Sequence, residues 1–241
     1  MRLTVIGSSP AWPNPGSAHS GYLVEGPEKL LLDCGPGVLG HLRETELWPS
    51  VDAIAITHFH LDHWGDLVPW VWGSFYLSSN GPVPRPELWV QPGGAAFLTA
   101  LGERLGFPDM FERAFQLAEY EPNVAFSAGG LSVTPIRVPH YTLQTYAFRV
   151  QNSSRVLAYS GDSAPCDELV ESARDADLFV CEATLLRGDL DGQPRGHLSL
   201  DEALDAFEQS HARRLLLTHR PCELPTPDEY ELAHDGLQLD V

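Results

Sequence analysis

Short apolar runs punctuated by Gly and Pro dominate the first quarter of the chain: Leu3 to Ile6, Gly21 to Glu25, Lys29 to Cys34 and Asp52 to Thr57 each read as a strand a few residues long. The pattern then lengthens. Helical spacing covers Asp66 to Leu77, Gly94 to Leu105 and Met110 to Glu119. Pro69 fits the first of these only near its start, where a missing N–H breaks no helical bond. Ser78 to Pro86, with three prolines, a Gly and an Asn, reads as a surface connector, a lid being the alternative. Strands resume at Leu131 to Val138, Tyr146 to Gln151, Arg155 to Ser160, Leu178 to Cys181 and Arg214 to Thr218. Between them lie a helix over Cys166 to Arg174 and an amphipathic helix over Ser199 to Gln209, capped by Ser199 with Glu202 three residues on. No repeat, heptad or linker interrupts the pattern, which predicts one domain spanning residues 1–241.

Charge narrows the partners. The formal net charge is −18, and the 15 basic residues, all Arg except Lys29, are scattered, so composition supplies no basic face for a long polyanion. A small-molecule substrate is expected, with neither a membrane nor a long nucleic acid as partner and a homodimer allowed. Cys34, Cys166, Cys181 and Cys222 show no CxxC spacing and are too few to staple a chain that can build its own core. The apolar start at Leu3 to Ile6 breaks at Gly7, too short for a signal peptide, and no stretch approaches a membrane span. A soluble, cytoplasmic protein is expected.

Candidate chemistry concentrates in Thr57-His58-Phe59-His60-Leu61-Asp62-His63, where three imidazoles and a carboxylate directly follow an apolar strand. His58 and His60 would share a side if the strand continued, whereas Asp62 and His63 need a loop to turn both inward. Three further residues stand where predicted strands end: His140, Asp162 and His219. Imidazole nitrogen and carboxylate oxygen suit a borderline cation such as Zn²⁺, and two such cations can share a carboxylate. The set has the number and type of donors for two sites.

With these residues the chain resembles the metallo-β-lactamase superfamily, and it is similar to the ribonuclease Z-like branch that includes small-molecule phosphodiesterases. The resemblance runs from Gly7-Ser8-Ser9-Pro10 and Ser20-Gly21 through Leu32-Asp33-Cys34-Gly35 and the His-rich run to Ser160-Gly161-Asp162 and Leu217-Thr218-His219. It implies an α+β fold, the αβ/βα four-layer sandwich of two facing mixed sheets with helices outside. It also implies two divalent metal ions, Zn²⁺ first and Mn²⁺ or Fe²⁺ as alternatives. One would be held by His58, His60 and His140, the other by Asp62, His63 and His219, with Asp162 bridging. A metal-bridging hydroxide would be the nucleophile, with Asp62 helping to position it and Asp33 orienting the His-rich loop. Glu182, in Cys181-Glu182-Ala183-Thr184, and His197, in Gly196-His197-Leu198-Ser199, resemble that branch's proton relay, in which His197 protonates the leaving oxygen and Glu182 holds its ring. His19, His41, His211 and His234 have no such context.

The branches separate on particular positions. Class B β-lactamases carry Cys where Asp162 stands, and flavodiiron oxidoreductases typically carry Glu in place of His60. Glyoxalase II adds a C-terminal domain, for which the 22 residues after His219 leave no room. Bacterial ribonuclease Z carries its tRNA-binding arm between the positions of His140 and Asp162, where this chain has 21 residues. The expected function is therefore that of a metal-dependent phosphodiesterase acting on a small phosphodiester such as a cyclic nucleotide. A lactonase, a thioesterase or a tRNA 3′-processing ribonuclease Z are the alternatives, and the complete donor set argues against an idle binding member.

Overall fold

The apolar runs are strands buried on both faces, which is why they read as continuous rather than alternating. The computed structural model describes residues 1–241 apart from Ser79, Asn80 and Pro82 and the side chain of Ser78, so part of the Ser78 to Pro86 connector lies outside the described residues. One sheet contains β1 (Arg2–Gly7), β2 (Gly21–Glu25), β3 (Lys29–Leu32), β4 (Ala53–Ala55), β5 (Glu87–Val90), β6 (Gln116–Glu119) and β14 (Gln238–Asp240), in the order β14-β1-β2-β3-β4-β5-β6. The other contains β7 (Phe126–Ala128), β8 (Leu131–His140), β9 (Leu143–Gln151), β10 (Val156–Tyr159), β11 (Leu178–Glu182), β12 (Leu215–Thr218) and β13 (Glu231–Leu232), in reverse sequence order from β13 to β7. Both are mixed. The first is antiparallel from β14 to β3 and parallel from β3 to β6. The second is antiparallel from β7 to β10 and parallel from β10 to β13.

Three apolar clusters define four layers. Tyr22, Val24, Leu30 and Leu32 meet Val133, Phe148, Leu157 and Val180 between the sheets. On the outer face of the first sheet, Leu23, Leu31 and Ile54 pack against α1 (Val38–Glu44), α3 (Leu67–Ser78), α4 (Gly94–Arg104) and α5 (Met110–Ala114) through Leu42, Trp70, Leu98 and Phe111. On the outer face of the second, Phe179 and Leu217 pack against Leu169 of α6 (Asp167–Ala173) and Ala203 of α7 (Leu200–Ser210). Each of the buried Leu, Ile, Val and Phe side chains among them contributes roughly 1.5–3 kcal/mol by leaving water. This is the expected αβ/βα sandwich.

Several elements differ from the sequence reading. Met110 to Glu119 is helical only to Ala114; Phe115 is extended (φ −129, ψ 159), and Gln116–Glu119 pairs in parallel with Glu87–Val90. Helix propensity there amounts to a few tenths of a kcal/mol per residue, less than a completed ladder offers. Asp62 and His63 sit in a helical turn, α2 (Leu61–Trp64), where a loop was expected. Strand β4 stops at Ala55, and β8 extends to His140 itself. The capping box at Ser199 and Glu202 forms as expected.

The topology gathers strand ends. Strands β3 and β4 run parallel in one sheet, as do β10, β11 and β12 in the other, and β8, antiparallel to β9 as β10 is, points the same way. Ligand sites in α/β sheets lie beyond the carboxyl ends of parallel strands. Asp33, His58, His140, Asp162, Glu182 and His219 all stand at or just past such ends. No helix among the described residues is long and apolar enough to cross a membrane.

Candidate metal centre

The seven predicted donors form two groups that share one carboxylate. Ligand atoms of His58, His60, His140 and Asp162 lie within 4.8 Å of one another, as do those of Asp62, His63, Asp162 and His219. All but His60 are buried. Asp162 Oδ2 is 3.7 Å from His58 Nε2, 3.7 Å from His140 Nε2 and 3.3 Å from His63 Nε2, while its Oδ1 is 3.6 Å from His219 Nε2. Asp62 Oδ2 lies 3.1 Å from His219 Nε2 and 3.5 Å from His63 Nε2.

Local backbone makes this convergence. Gly161, at φ 55, turns the chain from β10 into Asp162, and a Cβ there would meet the Tyr146 carbonyl at 2.9 Å. Asp33 (φ 60), Tyr141 (φ 49) and His219 (φ 52) also adopt the left-handed region, at about 1–3 kcal/mol each for residues with side chains. Helix α2 turns Asp62 and His63 inward while leaving Leu61 exposed.

Hydrogen bonds behind the rings fix which nitrogen faces the centre. His63 Nδ1–H donates to Asp33 Oδ2 at 2.7 Å, and His140 Nδ1–H donates to the Gly196 carbonyl at 2.5 Å. Both acceptors lack a proton, so in a neutral ring Nε2 keeps its lone pair. The Thr57 hydroxyl donates to Asp33 (2.9 Å) and can only accept from His58 Nδ1 (3.0 Å). Thr184 does the same between Glu182 Oε2 (2.6 Å) and His219 Nδ1 (2.9 Å). His60 is the exception: its Nδ1 faces inward, 3.2 Å from His58 Nε2 and 2.9 Å from His140 Nε2.

Electrostatics agree with a cation at each group. Burial first, then neighbouring rings, holds His58, His60 and His140 below the usual imidazole range, in the neutral form that ligates metals. Burial alone would also lower His63, but Asp162, Asp62 and Asp33 outweigh it and favour positive charge there. Burial would raise Asp62 and Asp162, yet the surrounding imidazoles hold both carboxylates well below their ordinary values. His63 Nε2 and Asp162 Oδ1 are buried with no hydrogen-bond partner among the described residues. Orphaned buried polar atoms are costly, and these two are where metal ligation would satisfy them. The residues fit a pair of divalent ions.

A sequence model of the beta-lactamase superfamily domain matches residues 28–220. The chain belongs to the metallo-β-lactamase superfamily. It is 35% identical over 231 residues to protein ML1173 of Mycobacterium leprae, covering 92% of this chain and 78% of that one. It is 30% identical over 226 residues to the probable metallo-hydrolase YhfI of Bacillus subtilis (92% and 87% covered). The YhfI crystal structure superposes with a TM-score of 0.86 at 25% identity, covering 99% of this chain and 98% of that one. Ribonuclease Z of Mycobacterium bovis is 26% identical over 244 residues (91% and 85% covered). The chain is thus a metal-dependent hydrolase of this superfamily.

Beside the shared carboxylate stands the predicted relay pair. His197 Nδ1 lies 3.0 and 3.2 Å from the two oxygens of the fully buried Glu182, and 4.0 Å from Asp162 Oδ2. Ser163 N–H also donates to Glu182 Oε1 (2.7 Å). Burial disfavours the His197 imidazolium, but Glu182 overcomes it and raises the ring to about 9. His19, His41, His211 and His234 are absent from the metal-competent groups of the described residues. The sequence reading assigned no role to Thr57, Thr184 or Tyr159, although the two threonines orient rings and Tyr159 O–H donates to Asp33 Oδ2 at 2.8 Å. A hydroxyl residue next to a candidate ligand just past a strand end was the available signal for Thr57.

Proposed function

We propose that this hydrolase is a phosphodiesterase acting on a small phosphodiester, such as a cyclic nucleotide, with two divalent cations, Zn²⁺ first among them. The observation that carries this reading is His197, backed by Glu182, at 4.0 Å from the carboxylate common to both donor groups. An alkoxide leaving from phosphorus needs a proton, whereas a thiolate leaving from a thioester does not, so a built-in donor favours the phosphodiester. The ribonuclease Z name of one relative points to the same bond.

His58, His60 and His140 would hold one ion, Asp62, His63 and His219 the other, and Asp162 both. When bound, such ions supply Lewis acidity and bring a coordinated water toward neutral pKa. Asp62 orients the attacking water by accepting its hydrogen bond. His197 delivers the proton from Nε2 to the departing oxygen, while Glu182 accepts from Nδ1–H and keeps the ring aimed. A cavity of about 640 Å³ next to His140 and Tyr141 is of small-ligand size, and the exposed Arg137 and Glu168 on its lining offer one cation and one carboxylate.

Dialysis against a chelator is expected to abolish hydrolysis and lower the melting temperature, and Zn²⁺ or Mn²⁺ should restore both. A cation at 100 times its dissociation constant contributes about 2.7 kcal/mol per site. Elemental analysis of the reconstituted protein should find two ions per chain; full activity in metal-free protein would end the reading. A screen of phosphodiesters, lactones and thioesters with that protein tests the substrate class.

Precursor tRNA is expected to be a poor substrate. The 21 positions from 141 to 161 are occupied by β9, β10 and their turns, leaving no arm there, and the −18 charge repels a polyanion. Cleavage of a 3′ trailer at physiological salt, at rates matching small phosphodiesters, would overturn this.

A further inference from the structure

The loop that carries His197 is organised around one carboxylate that the relay does not use. Gly192, Gln193 and Pro194 are exposed, yet the Asp191 side chain in the same loop is only 3% exposed. Its Oδ2 accepts the N–H groups of Gly196 (2.7 Å) and His197 (3.0 Å), and its Oδ1 accepts Gly192 N–H (2.9 Å) and Tyr141 O–H (3.2 Å). The peptide whose His197 N–H is held by Asp191 also faces the site. Its Gly196 carbonyl receives His140 Nδ1–H, and the His197 carbonyl is held by Arg195 Nη2 (3.1 Å), whose guanidinium also forks onto Glu202 at 2.7 and 2.8 Å.

Tyr141 closes the unit from the other side. Its N–H donates to the Arg195 carbonyl (2.9 Å), and its ring centroid lies 4.8 Å from that of His140 and 5.6 Å from that of His197. A Cβ on Gly196 would run into the Tyr141 ring, so the loop packs directly on that face. A loop stapled only for its own stability would not need both carboxylate oxygens, nor place two of the four bonds on the successive N–H groups of Gly196 and His197.

We propose that Asp191 is the positioning residue of the His197–Glu182 pair: it fixes residues 196 and 197 so that the imidazole meets Glu182. This rests on the reading of His197 as proton donor. A displacement of the ring by about 1 Å can cost on the order of 10²-fold in rate, and only where the proton matters.

The test compares aryl phosphodiesters graded from p-nitrophenyl to phenyl, at saturating metal, in wild type, Asp191→Ala, Asp191→Asn, His197→Ala and the double variant Asp191→Ala/His197→Ala. Asp191→Ala is expected to lose on the order of 10²-fold on the phenyl ester and less than about threefold on the p-nitrophenyl ester. The double variant should be no slower than His197→Ala alone. Asp191→Asn, which keeps one oxygen for the Gly196 and His197 N–H groups, should show the same ordering with about a tenth of the loss, and it carries the test should Asp191→Ala fail to fold. If His197→Ala steepens the leaving-group dependence while both Asp191 variants leave it unchanged, or if the double variant multiplies the two losses, the positioning role is wrong. If His197→Ala leaves the dependence unchanged, the donor reading itself falls and takes this one with it.

Discussion

Asp33→Asn is expected to weaken metal binding by about 10–100-fold while leaving the protein folded, because the exchange reverses the tautomer of His63. Asp33 is fully buried and acts only as an acceptor, for Thr57 N–H (2.8 Å), the Thr57 hydroxyl, the Tyr159 hydroxyl (2.8 Å) and His63 Nδ1–H (2.7 Å). An asparagine can keep its oxygen on Thr57 N–H and turn its amide toward Tyr159, whose oxygen can accept. The amide then confronts His63 Nδ1, which must give up its proton. The proton moves to Nε2, the atom 3.3 Å from Asp162 Oδ2, and removes the lone pair a cation needs. Asp33→Ala is a different injury: buried donors lose their partner, each at about 1–3 kcal/mol, and a loss of about 3–5 kcal/mol in unfolding free energy is expected after relaxation. Competition with a chromogenic chelator separates the two. Unchanged metal affinity in Asp33→Asn would show that Asp33 does not set the His63 ring.

Asp33, expected to orient the His-rich loop, does bond His63, and the rest of the site divides by what a sequence can carry. His58, His60, Asp62 and His63 were legible because one short segment holds them, and His140, Asp162 and His219 because β8, β10 and β12 point the same way and deliver their ends to one edge. The four layers followed from runs such as Leu30 to Leu32, apolar at successive positions because both faces are covered. Strands β5 and β6 were not legible. Glu87–Val90 is only four residues between prolines, and Gln116–Glu119 has helix-forming composition that only its partner strand overrides. Thr184, Tyr141 and Asp191 stayed silent for another reason: Thr184 reaches His219 35 residues on, Tyr141 reaches Asp191 50 residues on, and Asp191 holds backbone N–H groups besides, so an isolated polar residue in a loop has no period or spacing to reveal it.

His197→Ala is expected to lose roughly 10²–10⁴-fold in turnover on phosphodiesters with poor leaving groups, with both cations retained. His197 shares a third cluster of ligand-type atoms with Glu182 and His219, but it belongs to neither of the two donor groups that share Asp162, and those two groups stay complete without it. The size of the loss follows from where the charge goes. As the bond from phosphorus breaks, an alkoxide or unsubstituted phenolate is too basic to leave unprotonated, whereas p-nitrophenolate departs readily without a proton. The deficit should therefore shrink toward the p-nitrophenyl end of an aryl series. Glu182→Gln should show the same ordering with a smaller deficit: the imidazole stays, but it loses the carboxylate at 3.0 Å that orients Nδ1–H and stabilises the imidazolium. The single amide oxygen left by that exchange can still accept from Ser163 N–H or from the Thr184 hydroxyl, one at a time, so part of the anchoring survives. Equal losses across the series, or loss of metal on removing His197, would make His197 a binding or structural residue, and the proton would then have to come from water.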